Sequence, residues 1–397
     1  MKKRPAAFIF LFCSLGALWA FYYSKSLLTY LVILIISIIV LFLIKKTILR
    51  ITAFLIFCFC ISSIHALLYK KNYINITQNL NTNNTFFHAK INNIYTNEDG
   101  SKKLLILAKQ DNKPHIFNLI LRLHDSASAL KIDANDEITF KAKALTFTKP
   151  LSAVHFNELQ YGLSNNIHGK ITIKDSFLIE KITHHKKSLL LTLRENLKNK
   201  LLNYLTIKEA ALLIALIIGE NSLLDNEQME TFKIIGAQHL LAVSGLQVSM
   251  LTLFIYFIIS SLLALILPRS IIHKTKPLAC ITAIIFIWFF VALCGFPKSA
   301  IRAAFMASIL FLPNLIVRKI DIFDSLYASG CILILINPAY ILDLGFLLSY
   351  ACVFGLTQAY ELSKNLLKPL KNYSLVLFYA VSLFISIISA DRKSTRL

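Results

Sequence analysis

The chain alternates between long apolar runs and one long polar insert. Runs at 5–23, 27–43 and 48–68 precede the insert. Six more, at 239–267, 278–294, 300–316, 322–336, 341–356 and 375–389, follow it. Each is near the ~20 residues that a helix needs to cross a hydrocarbon core, so about nine spans are predicted. From 70 to 187 the pattern changes to Asn, Lys, Thr and Asp with short alternating apolar runs. Segments 85–94, 103–108, 116–123, 137–145 and 169–179 read as strands, parted by the turn strings NEDG, DNKP and DAND. Five short strands suit a small barrel, and the OB-like barrel is the five-stranded type that binds single strands.

Between insert and later spans the pieces are shorter. Leucines alternate with Arg194, Lys198 and Lys200 over 188–205, which reads as an amphipathic surface helix. The run 210–218 is too short to span and ends at Gly219-Glu220-Asn221; Asp225, Glu227 and Glu230 then mark a surface helix. With 236–250 these read as re-entrant or broken helices, tolerated only where buried in protein or facing water. The predicted fold is a polytopic α-helical membrane protein with an inserted extracytoplasmic OB-like β-barrel. Its divisions are 1–69, N-terminal transmembrane helices; 70–187, the β-domain; 188–238, short helices; 239–390, the channel-type helices; and 391–397, a tail.

Composition agrees. Of 397 residues 56% are hydrophobic and 16% charged, with mean hydropathy +0.63, which excludes an ordinary soluble domain. Basic loops set the predicted orientation: Lys45, Lys46, Arg50, 269–276, Arg318, Lys319, Lys364, Lys368 and Lys371 all fall inside if the N-terminus is cytoplasmic and 70–187 lies outside. The tail Asp391–Leu397 would then lie outside despite its cations, directly after a span, and is expected to mark a truncation or junction. Much of the net charge of +21 is this inside bias. All seven cysteines sit in apolar stretches, Cys58 and Cys60 as core, so no disulfide framework is expected in the insert.

Chemistry concentrates in GAQHLLAVSGLQVSM at 236–250. His239, Ser244, Gln247 and Ser249 are polar groups in apolar surroundings, and such groups need partners or a wet cavity. Gly245 permits close helix approach or a bend, and a small-residue packing notch is the plainer alternative. HLLAVSGLQVS at 239–249 resembles the signature of the ComEC family, inner-membrane DNA-uptake channels of naturally competent bacteria. Gln247 stands where that family most often has a second His. GFPKSAIRAAFM at 295–306 resembles the family's G-x-x-x-S-x-x-R-A segment, with Ser299, Arg302 and Met306 on one predicted helix face. NPAYILDLGFLLSY at 337–350 resembles its NP…D-x-GFQLS segment through Asn337, Asp343, Gly345 and Ser349, with Leu347 in place of the usual Gln. The likeness is read over about residues 80–360.

The resemblance implies passage of single-stranded DNA into the cytoplasm from the bacterial inner membrane, with the lipid bilayer, other competence proteins and a homo-oligomer as partners. It places the channel at His239, Ser244, Gly245, Gln247, Ser299, Arg302, Asp343, Gly345 and Ser349, with Ser244-Gly245 as a helix break lining a cavity near Arg302 and Asp343. In the insert, basic residues outnumber acids. Lys102, Lys103, Arg122, Lys141 and Lys143 are the predicted DNA contacts, and Phe86, Phe87, Tyr95, Phe117, Phe156 and Tyr161 the aromatic ones, most of them (Phe117 included) core. From Thr231 to Lys319 there is no Asp or Glu, which suits a polyanion's path.

No cofactor, metal site or enzymatic activity is expected. The HxHxDH ligands of the family's metallo-β-lactamase-like nuclease domain are absent from the sequence. A serine hydrolase built on Ser244 needs a base in reach. His239 is five residues earlier, about 140° around one helix, so it serves only if the helix breaks. A small-solute transporter with a broken-helix site is the other alternative, and the internal repeats it predicts are not found.

Overall fold

The structure, a computed structural model, describes residues 5–23, 26–43, 47–80, 82–96, 101–111, 114–128, 130, 132–148, 157–175, 178–184, 188–237, 240–241, 243–266, 275–312 and 322–366. His239, Phe156, the loop at 269–274 and everything from 367 on lie outside these residues.

Three helices open the chain: α1 (Pro5–Tyr22), α2 (Leu27–Leu43) and α3 (Thr47–Asn79). The α1–α3 crossing is made of small and hydroxyl residues, as helices in lipid require for close approach. Gly16 lies so near the Phe59 carbonyl that no Cβ would fit, Ser62 Oγ donates to Cys13 O at 2.6 Å and Ser63 Oγ to Gly16 O at 3.0 Å. At 33 residues α3 extends about 50 Å, well beyond a ~30 Å hydrocarbon core. It runs through residue 70 without a break, and Ile76 and Leu80 at its far end join the core of the β-domain.

That domain is a curled six-stranded sheet in the order β5-β3-β2-β1-β4-β6. The strands are β1 (Asn84–Thr96), β2 (Lys102–Gln110), β3 (Ile116–Leu123), β4 (Glu137–Lys143), β5 (Gly169–Ile173) and β6 (Ile179–Thr183), with a single helical turn, α4 (Asp125–Ser128), after β3. All neighbours are antiparallel except β3 and β5. The alternation in EITFKAK and KKLLILAKQ buries one face, where Phe87, Phe117, Phe140, Leu104, Ile106, Leu119, Leu121 and Ile138 form the core. Phe117 and Phe87 are therefore core residues and not stacking faces.

The sequence predicts one strand at 169–179, and the structure has two on opposite edges. Lys174-Asp175 interrupts the apolar run, β5 pairs with β3, and β6 pairs with β4. Beyond β4, reciprocal bonds of 2.8 Å between Leu145 and Lys170 tie the end of that strand's path to β5. The curled sheet is thus a partly closed half-barrel.

Between β4 and β5 lies α5 (Glu158–Asn165), a helix absent from the sequence reading. Asn157 caps its start by accepting from Gln160 N, and Asn166 ends it in the left-handed conformation. Tyr69 and Tyr73 of α3 donate to Leu163 O (2.8 Å) and Ile167 O (2.6 Å). A Cβ at Gly162 would fall 2.5 Å from the Phe147 ring and the Tyr73 hydroxyl, so only glycine lets this helix seat.

The remaining helices are α6 (Leu189–Tyr204), α7 (Ile207–Ile218), α8 (Asn226–Ile234), α9 (Gly245–Ile266), α10 (Thr275–Leu293), α11 (Lys298–Phe311), α12 (Ile322–Ile336) and α13 (Leu344–Leu366), with a short 3-10 helix, Pro338–Leu342, before α13. Among the described residues α3, α9 and α10 are long and apolar enough to cross a bilayer, and apolar stretches of α1, α2, α12 and α13 are shorter. Leu246, Met250, Phe254 and Phe257 leave one side of α9 bare, as a lipid-facing helix does. The chain is a helical membrane protein carrying a β-domain.

α6 and α7 are joined by an ion cluster. Glu220 accepts from Lys198 Nζ at 2.5 Å, pairs with Arg194 Nη2 at 3.2 Å and accepts from Ser222 Oγ at 2.8 Å. Burial alone would raise the Glu220 carboxyl, but these partners together hold it below the ordinary carboxylate range. A depressed folded value means that the contribution is complete above the unfolded pKa (~4.3) and is lost as pH falls through the folded one. Melting of the detergent-solubilised chain should therefore drop on acidification. Glu220→Gln should flatten that limb and destabilise at neutral pH by about 1–3 kcal/mol; an unchanged pH profile would show the cluster to be energetically idle.

Candidate functional site

Three helix starts adjoin one another: those of α9 and α13 flank that of α11, and α5 docks on the last two. Each has backbone N–H groups without intrahelical partners and the positive end of a helix dipole. How each start is satisfied defines the site.

At α9 the residue before the helix, Ser244, is the N-cap. Its Oγ accepts from Gln247 N at 3.2 Å, while Gln247 Oε1 accepts from Ser244 N at 2.8 Å. This is a reciprocal capping box, S-x-x-Q. Gln247 Nε2 also donates to Leu240 O at 3.2 Å, which folds the preceding segment back over the helix start. An amide supplies both the acceptor and the donor, so Gln247 does here what an imidazole of one tautomer would do only in part. Ser244 Oγ is thereby engaged in helix capping. His239 lies outside the described residues.

Val243 pins this segment in place. Its carbonyl accepts from Ser299 Oγ at 2.7 Å. Its side chain fills the space over Gly219, where a Cβ would come within 2.7 Å and where φ is +77°. Gly219 is required twice over, by backbone conformation and by space.

The first turn of α11 separates two neighbours. Ser299 and Ala303 face the α9 start, with the Ala303 methyl 3.6 Å from where a Gly245 Cβ would sit. Lys298 and Arg302 face the other way, toward Asp343 and the start of α13. The single predicted face of Ser299 and Arg302 is thus divided, because residues three apart diverge by about 60° and the flanking helices are close.

Asp343 closes the 3-10 helix and caps α13, its Oδ1 accepting from Gly345 N at 2.9 Å. Oδ2 accepts from Lys298 Nζ at 3.0 Å. The Arg302 guanidinium stands beside it, 3.9 Å from where a Gly345 Cβ would be, and its Nε is buried with no hydrogen-bond partner among the described residues. Two cations therefore share one acid. Lys298, Ile301, Arg302, Leu333, Tyr340 and Phe346 line a crevice here that admits little more than one water molecule. Ser349 is half-buried one turn and more along α13. Ser244 and Gly245 lie across α11 from the crevice and do not line it.

Helix α5 docks on this cluster. Ser164 O accepts from Lys298 Nζ (3.2 Å) and Asn337 Nδ2 (3.4 Å), and Gln160 Nε2 donates to Leu342 O at 2.8 Å. Lys298 was not among the predicted site residues. Its signal is its position at the first turn of a helix that brings the family-like Arg302 one turn later.

Of the five predicted basic contacts in the β-domain, Lys103 and Arg122 are cross-strand partners. Lys102 instead donates to Leu130 O at 2.8 Å. Lys141 lies over the Phe86 ring, 5.3 Å from its centroid, and Lys143 pairs with Asn84 at the other end of β1 from Lys103, which is opposite Tyr95. That is eleven residues, roughly 35 Å of strand, so these cations do not form one patch.

A family model described as Competence protein matches residues 216–390, which holds all three helix starts. Over these residues the chain is similar to the competence-protein family. ComE operon protein 3 of Bacillus subtilis (strain 168) is 30% identical over 142 residues, 36% of this chain and 17% of that protein. The chain thus spans about a sixth of that relative's length. No solved structure matches. The family match begins at 216, so the β-domain lies outside it, although the sequence likeness is read from about residue 80.

The capping box yields a test within the competence domain. Ser244→Ala and Gln247→Ala should each destabilise the solubilised protein by about 1 kcal/mol. Because the two bonds are reciprocal, the double variant should cost less than the sum. Strict additivity in chemical-denaturation midpoints would mean that the two residues act separately.

Proposed function

We propose that this chain is the membrane part of a DNA-uptake system, passing single-stranded DNA across the bacterial inner membrane during transformation. The supporting observation is the junction itself. The cations Lys298 and Arg302, on the first turn of α11, stand against one carboxylate, Asp343 at the start of α13, and the segment that carries them runs from Thr231 to Lys319 without an acid inside the competence-protein match. Such a place favours a polyanion, and an arginine fork suits phosphate. The β-domain is read as OB-like: its partly closed sheet, with five strands continued by the Leu145–Lys170 bridge, is in keeping with a partly open barrel that holds single strands outside the membrane. Other competence proteins and further copies of the chain are its proposed partners. No catalytic step is assigned to this chain. The engagement of Ser244 in a helix cap speaks for a structural serine rather than a nucleophile.

Transformation frequency with chromosomal variants tests the reading. Arg302→Ala should lower it tenfold or more at unchanged membrane abundance. Gly245→Leu should do likewise, because a Cβ there would already be in contact with Ala303 at 3.6 Å and the rest of a leucine must push α9 and α11 apart or fill the space beside them. Ser244→Ala should reduce it less than tenfold. Abolition by Ser244→Ala in a fully inserted protein would instead favour hydrolysis, and normal transformation by Arg302→Ala would remove the phosphate contact from the account.

A further inference from the structure

The outer face of the β-domain carries a groove that none of the family-like motifs touches. It is an open space of about 500 Å³ between strands β1–β3 and helix α5, lined among others by Asn92, Lys103, Leu105, Asn118, Tyr161 and Asn165. Three features of it are hard to explain by folding alone. First, Lys103 and Arg122 stand directly opposite on adjacent strands, and among the described residues no acid pairs with either. Like charges in that position destabilise a sheet. Burial, and then the neighbouring Arg122, push the Lys103 ammonium below its ordinary pKa, so the protein bears a cost here. Second, β1 is bulged between Ile91 and Asn93, and the extra residue is Asn92, aimed into the groove. Bulges re-aim single side chains at functional places. Third, Tyr161 lies across the groove with Lys103 Nζ 5.9 Å from its ring centroid, so cation, ring face and amides converge.

We propose that this groove holds a stretch of single-stranded nucleic acid, with Lys103 and Arg122 on successive phosphates and the Tyr161 ring stacked on a base. Aromatic faces beside a cationic track are what single-strand sites combine, whereas a duplex keeps its base faces inside. Tyr161 is on the groove, and Ser164, one turn later on the same helix, accepts from Lys298, the companion of Arg302. Helix α5 thus touches both the groove, through Tyr161, and the helix-start cluster, through Ser164. The inference deepens the DNA-uptake reading and rests on it for the identity of the polyanion.

The test is binding of fluorescein-labelled oligothymidine to the full-length chain in detergent, over a range of salt. Lys103→Gln with Arg122→Gln should weaken binding tenfold or more and reduce the salt slope by about 1.4, two single-strand phosphate contacts. The same pair of changes should leave the melting temperature equal or higher, since it relieves a repulsion; this separates lost binding from lost folding. Tyr161→Phe should bind like the unaltered chain and Tyr161→Ala at least fivefold more weakly. Lys141→Gln with Lys143→Gln, at the far end of the sheet, should change affinity less than twofold. The proposal is overturned by an unaltered chain that ignores oligothymidine at low salt, by duplex binding as tightly as single strand, or by loss that follows Lys141 and Lys143 instead. The two readings fail differently. If deleting the gene leaves transformation intact while the groove variants still lose oligothymidine, the uptake reading falls and the groove stands. If deletion abolishes transformation and the groove variants bind normally, the groove falls alone.

Discussion

A helix that begins inside a membrane protein exposes backbone N–H groups that neither lipid nor neighbouring turns can satisfy. The competence domain has three such starts side by side, and most of its polar chemistry follows from meeting their needs. Ser244 and Gln247 close one start reciprocally. Asp343 closes another and takes the Lys298 ammonium as well. Ser299 spends its hydroxyl on the Val243 carbonyl, which would otherwise be left in the gap between α7 and α9. Together these bonds hold Leu240 and Val243 against the starts of α9 and α11.

The same requirement explains why the β-domain sits where it does. The end of α5 supplies Ser164 O to Lys298 and Asn337, and Gln160 reaches Leu342 O in return. These contacts are polar and directional, and they are backed from the other side by Tyr69 and Tyr73 on an α3 that outruns the bilayer. The β-domain is therefore held at two points, by one long helix and by the helix starts themselves. Lys298 is the cation of that joint, donating both to Ser164 O and to the Asp343 carboxylate.

Apolar periodicity by itself determined the long helices, the insert and its first four strands, because burial on one face of a strand and the length of a bilayer both leave their period in the sequence. It determined, too, that Phe117 and its neighbours are core. The motifs marked Ser244, Arg302 and Asp343 as unusual, since polar residues in apolar runs stand out without any coordinates. Only the tertiary structure decided what they touch. It put Ser299 and Arg302 on different neighbours, split 169–179 between opposite edges of the sheet, and parted Lys103 and Arg122 from Lys141 and Lys143. It also raised α5, Lys298 and Tyr161 from a polar loop to the joint of the molecule. The reason is physical: periodicity records whether a side chain is buried, but hydrogen-bond partners and charge neighbours are set by residues distant in sequence, and those pairings have no period to read.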